Sequence, residues 1–237
     1  MLSVTTLQKA MASVQPAIVS RALATNACRL TALARANSAV IGQTINVLDT
    51  LINENGIAGA NEIFQKECPI VSSTVGKQFR HTYDHLEKVA LDGLRTVGED
   101  HKPIDLHYDV RERGGMYEHD VSEARQRAVF IKDYFDTLIR QSEKEGQDAC
   151  STDSRRPLTA YFTLPTGNEN VAEEIPLSST LERELGFTCH HAIHHCALIK
   201  AIAKAEKTGL LPKHLPPDFG QAPTTFVSVV EDDHRAA

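Results

Sequence analysis

The chain has 237 residues, of which 24% are charged and 41% hydrophobic, with 25 basic residues against 31 acidic ones. This is enough chain for one domain with a real core, and it excludes a disordered polymer. No apolar run reaches the ~20 residues of a membrane span, and no basic stripe marks a nucleic-acid partner. The unusual features are the absence of tryptophan and a set of 11 histidines, four of which (His190, His191, His194 and His195) crowd together. The cysteines Cys28, Cys68, Cys150, Cys189 and Cys196 form no CxxC pair, so neither a disulfide framework nor a cysteine zinc site is expected.

The first acidic residue is Asp49, and before it stand only the bases Lys9, Arg21, Arg29 and Arg35 among many Ser, Thr and Ala. Residues 1–35 therefore read either as an organellar transit peptide or as an extension running into the first helix. The expected setting is intracellular and reducing, mitochondrial or cytoplasmic. Apolar residues spaced at three and four predict a first helix over 36–54, stopped at Asn53–Gly56. A second helix over 73–96 opens at Ser72–Ser73–Thr74 and carries Val75, Phe79, Thr82, Leu86, Val89 and Ala90 on one face. The polar stretch His101–Asp120, with Pro103 and Gly114–Gly115, reads as a long connection. A third helix follows at 120–146, capped by Asp120 or Ser122. Leu158–Thr163 and Val171–Pro176 flank a turn and predict a short hairpin. The last helix spans 178–208, and the segment Leu215–Gly220, with Pro216 and Pro217, leaves it as irregular backbone. The expected fold is all-α, an antiparallel four-helix bundle over residues 36–226 with a short β-hairpin before the last helix and a tail at 227–237.

At 100° per residue, the apolar direction of the last helix is set by Leu181, Leu185, Ala192, Ile199 and Ile202. His195 falls about 40° and His191 about 80° from that direction, while His190 and His194 face the other way. Two imidazoles four residues apart reach one ion, and burying them costs free energy unless they are bonded or metallated. The sequence His191-Ala-Ile-His-His195 lacks the Glu of HExxH, which excludes the zinc-protease pattern. A third ligand must come from another element, and the second helix offers His81 and His85. Its wheel places His85 about 90° and His81 about 130° from the apolar centre, so spacing alone leans to His85 and leaves both open.

The string Val75-Gly-Lys-Gln-Phe-Arg-His81-Thr-Tyr-Asp84-His85, with Arg183-Glu184-Leu185 and His191-x-x-x-His195, resembles the DinB/YfiT-like superfamily of metal-binding four-helix bundles. His107-Tyr108-Asp109-x-Arg111-x-Arg113 and Asp218-Phe219-Gly220-x-Ala222-Pro223-x-Thr225 resemble one branch of it. The resemblance implies one divalent ion, zinc or nickel, held by His81, His191 and His195, with His85 as the alternative to His81. It also implies hydrolysis or transfer dependent on a low-molecular-weight thiol, acting on a small-molecule substrate.

Three imidazoles leave a coordination position for water, as catalytic sites do, and such an ion lowers the pKa of water or orients a thiolate. Glu184 is the candidate to orient an imidazole N–H or to accept a proton, and Arg111 and Arg113 are candidates for an anionic substrate. The competing expectation is a non-catalytic bundle whose histidines are structural or sequester metal. A homodimer through exposed helix faces is the expected assembly, if any forms.

Overall fold

The computed structural model describes residues 26–94, 104–110, 115–144, 155–165 and 172–222. Helix α1 (Asn26–Gln65) is longer at both ends than its periodicity predicts, because Leu30 and Ala34 are already core residues and Phe64 is buried at its far end. The expected stop is real all the same. Gly56 adopts φ 66° and ψ 171°, so α1 is two helical segments joined at a kink that a glycine tolerates.

Helix α2 (Val75–Lys88) begins where expected, with the Thr74 side chain accepting from the Lys77 N–H. Past Lys88 the backbone widens into a π-helical turn over Val89–Gly93. Strand β1 (Ile104–His107) follows, and then a short 3₁₀ turn, Met116–Glu118. Helix α3 (Val121–Lys144) is capped by Asp120, whose carboxylate accepts from Ser122 and Glu123. Strands β2 (Pro157–Pro165) and β3 (Ala172–Thr180) lead into helix α4 (Leu181–Lys204), whose N-cap is Thr180.

The all-α expectation is corrected here. Among the described residues the structure is mostly helical, with four α-helices, but it carries a three-stranded sheet of order β1-β2-β3, larger than a hairpin. β2 and β3 pair antiparallel from Pro157↔Thr180 to Pro165↔Ala172, as the hairpin pattern predicts. β1 pairs parallel with β2, Ile104 opposite Leu158. Parallel neighbours need a crossover connection, and α3 supplies it. The segment expected to be only a connection becomes a strand because Ile104 and Leu106 alternate inward against exposed Asp105, a period of two that buries one face.

The helices enclose one apolar core, with α1 packed along α3 and α2 against α4. Phe79 and Tyr83 of α2 stack with ring centres 5.7 Å apart, and the buried Tyr83 hydroxyl donates to Thr44 of α1. A Cβ on Gly76 would lie 2.0 Å from the Glu118 carbonyl oxygen, so only glycine allows α2 to meet the 3₁₀ turn. After α4 the chain returns along that helix. Phe219 is fully buried, and Gly220, at φ +66°, sits against the Cys196–Ala197 backbone. None of the helices is long and apolar enough to cross a membrane among the described residues.

Gly220 gives a direct test of the returning segment. A Cβ there would approach the Ala197 backbone nitrogen to 2.5 Å. Gly220→Ala is expected to cost about 1–3 kcal/mol, the usual range for overpacking a closed site. The expected readout is a lower urea midpoint at unchanged m-value.

Candidate metal centre

α2 and α4 each carry histidines four residues apart, and their packing brings the two pairs together. The ring centres of His81 lie 5.0 Å from His191 and 4.6 Å from His195, and those of His191 and His195 are 4.5 Å apart. One ligand nitrogen from each of His81, His191 and His195 lies within 4.8 Å of the other two. His81 Nε2 and His191 Nε2 are 3.1 Å apart. Two ligands of one tetrahedral zinc with bonds of 2.0–2.1 Å stand about 3.3 Å apart, so this pair is already near the spacing an ion requires.

His195 is buried, and its Nδ1–H donates to the Gln78 side-chain oxygen at 2.5 Å. Gln78 is itself fixed, since its amide nitrogen donates to Ser73 Oγ at 2.9 Å. This bond sets the tautomer of His195 and leaves its Nε2 lone pair for an ion. Sequence analysis missed Gln78. The signal was present, because Gln78 stands one turn before His81 on the same helix, but an uncharged amide is not a recognised ligand.

Burial holds these rings neutral. Loss of hydration lowers the pKa of His191 to about 3, with further lowering by the nearby His85, His195 and His194. It lowers that of His195 to about 4, with His194 and His85 adding to it. A neutral imidazole is the form that ligates, so the same burial that makes protonation costly keeps the nitrogens ready for a cation.

His85 is the more buried histidine of α2, as its wheel position implies, but it lies outside the three-nitrogen group. Its Nδ1–H donates to the His81 carbonyl, and its ring stacks on Tyr108 at 5.0 Å and 11°. It also lies 4.3 Å from the His191 ring, so it forms a fourth wall of the cluster.

Glu184 is fully buried, and its hydrogen bonds go elsewhere than to an imidazole. It accepts from the Tyr108 hydroxyl at 2.8 Å, from Ser179 Oγ at 2.5 Å and from Arg183 at 2.5 Å. It therefore anchors Tyr108, the ring on which His85 rests, and ties α4 to β3. The orienting bond expected of Glu184 is made by Gln78.

Arg111 and Arg113 lie outside the described residues, as do residues 1–25. Asp84 accepts from the Tyr117 hydroxyl and lies 3.9 Å from Arg80. Cys196 is buried, with its thiol pushed up to about 12 by burial, and burial also raises Cys189, so both remain thiols rather than soft thiolate ligands. His190 and His194 are exposed, on the side opposite the core.

An aromatic wall borders the cluster. Phe187 lies 5.4 Å from His191, 5.5 Å from Tyr108 and 5.3 Å from Phe162 of β2. Beyond Tyr108 opens a cavity of about 300 Å³ lined by Asp84, Glu87, His107, Tyr108, Tyr117 and Arg127, among others. The small sheet thus matters for the site, because Tyr108 follows β1 and Phe162 belongs to β2.

Two outcomes follow from this geometry. His191 and His195 ionise well below 6.5 in the folded chain and near it in the unfolded one. In chelator-treated protein, stability is therefore full above about pH 6.5 and falls as the pH drops toward 4, because the unfolded chain takes up protons that the folded chain refuses. Urea titrations across that range are expected to show this decline, and His191→Gln to flatten it. Second, Gln78→Leu keeps the volume but removes the acceptor for His195, and is expected to weaken zinc binding about 10–100-fold by competition with a chromophoric chelator.

No family model matches the chain, and no curated protein or solved structure is significantly similar to it.

Proposed function

We propose that the chain is a metal-dependent enzyme of the DinB/YfiT-like kind, a hydrolase or a thiol-dependent transferase, with one zinc or nickel ion on His81, His191 and His195. The observation that carries this reading is the convergence of three imidazole nitrogens from two helices within 4.8 Å. The donor set fits a borderline ion, since it is all nitrogen, with His191 and His195 held neutral by burial and a fixed tautomer at His195. Such an ion supplies Lewis acidity near neutral pH.

The remaining roles belong to the chain. His81 and His191 are only half-buried, so the group lies at the edge of the core rather than inside it. Phe162 and Phe187 exclude water from one side and offer an apolar surface beside His191. Tyr108, held by Glu184, stands between the histidines and the neighbouring cavity. Glu184 is thus a positioning residue: it fixes Tyr108, and Tyr108 fixes His85.

The position at the core's edge separates this reading from a purely structural one, in which an ion would serve only to pin α2 to α4. Untagged protein, purified without chelator, is expected to carry close to one zinc or nickel per chain. His81→Ala, His191→Ala and His195→Ala are expected to lose it, whereas His85→Ala retains it. Screening the loaded protein with hydrolysable esters and with electrophiles plus small thiols is expected to give turnover that His191→Ala lacks. A wild type that stays metal-free after incubation with zinc and nickel overturns the proposal.

A further inference from the structure

The four histidines of α4 fall into two ladders. The inner one, His191 and His195, faces α2. The outer one, His190 and His194, repeats the four-residue spacing on the solvent side, and both residues are exposed. The outer rings make no hydrogen bond or ion pair among the described residues, in contrast to the half-buried His107, which is bonded to Glu174. Both stand well inside a 24-residue helix, away from its frayed ends, so their backbone spacing is fixed. Residues four apart on a helix have Cβ atoms about 5–6 Å apart, and two imidazoles so placed close on one cation while water completes the shell. The ladders also touch, since the His194 ring stands edge-on to His195 with centres 5.2 Å apart.

We propose that His190 and His194 form a second, solvent-facing site for a borderline divalent ion such as nickel, copper or zinc. It uses two imidazoles and water, and lies directly beside the three-histidine group of His81, His191 and His195. The ligand class follows from the donors: two imidazole nitrogens without a carboxylate do not suit magnesium or calcium, which take oxygen. Affinity is lower than at the inner site, because there are two protein ligands rather than three and both side chains lose rotamer freedom on closing around the ion. The outer site does not require the inner one to exist, although its place beside a metal centre rests on the function proposed above.

The test is equilibrium dialysis of the full chain, untagged, against nickel chloride from nanomolar to high micromolar concentrations. Wild type is expected to bind two ions per chain in two separated steps. His190→Ala, His194→Ala and the double variant are expected to lose the weaker step only, with the tight step and the thermal unfolding curve unchanged. In His191→Ala/His195→Ala the tight step is expected to vanish while the weak step persists, so failure of the inner site and failure of the outer one give different curves. A wild type without a weak step, or a weak step that survives in His190→Ala/His194→Ala, overturns the proposal. Retention of that step when calcium replaces nickel overturns it as well.

Discussion

The constraint on which the rest of the structure turns is the packing of four imidazoles between α2 and α4. A ring taken out of water must place both of its nitrogens, one as donor and one as acceptor, or the fold loses a desolvation penalty it cannot recover. The structure gives each ring a partner for one nitrogen. His195 donates to Gln78, His85 donates to the His81 carbonyl, and the nitrogens of His81 and His191 meet each other. Three of these rings aim a nitrogen at a common point, which hydrogen bonding alone would not demand. Once α2 and α4 are fixed at this seam, Phe79 and Tyr83 on one and Leu185, Ala192 and Ile199 on the other complete the core around it.

The sheet has its purpose at the same seam. A bundle alone would leave His85 and Phe187 facing water on the side away from α1. β1 and β2 instead deliver Tyr108 and Phe162 there, and Glu184 holds Tyr108 in place from beneath. Burial, with the nearby Glu184 carboxylate that accepts its proton, pushes the ionisation of Tyr108 far up, so it acts as a fixed polar wall rather than as an acid. Removing the carboxylate would disturb the site through Tyr108 and His85 without touching a candidate ligand.

Much of this was legible, and the limits have physical reasons. The helical period of 3.6 divides the α4 histidines into an inward and an outward pair, and burial follows that division. Caps at Thr74 and Asp120 are local events, so local sequence finds them. On α2, the wheel ranks His85 as the more inward residue, and it is the more buried one, yet the nitrogen group takes His81. Burial measures depth in the core, whereas ligation depends on which ring meets the partner helix, and that is set by the packing of two helices. β1 was missed because four alternating residues inside a polar, Pro- and Gly-containing stretch are a weak signal without the partner strand 50 residues on. Its place on the histidine stripe makes Glu184 look like the partner of an imidazole. Its bonds to Tyr108 and Ser179 arise from the sheet, which helix spacing does not describe.

The choice of Gln78 behind His195 bears on what chemistry an ion would perform there. A carboxylate at this position would pull on the Nδ1 proton, make the ring more imidazolate-like and pass negative charge to the ion. An amide oxygen orients the ring as firmly but donates less charge. An uncharged amide behind His195 adds no negative charge to the site, so an ion would keep more of its positive charge there than beside a carboxylate. Such a centre polarises an oxygen or stabilises a thiolate more strongly than one already neutralised by its surroundings. It would also favour anionic partners over neutral ones. On the proposed function, replacing Gln78 by Glu should therefore preserve the orientation of His195 yet weaken the electrophilic character of the centre. This variant separates the geometric part of the site from its electrostatic part.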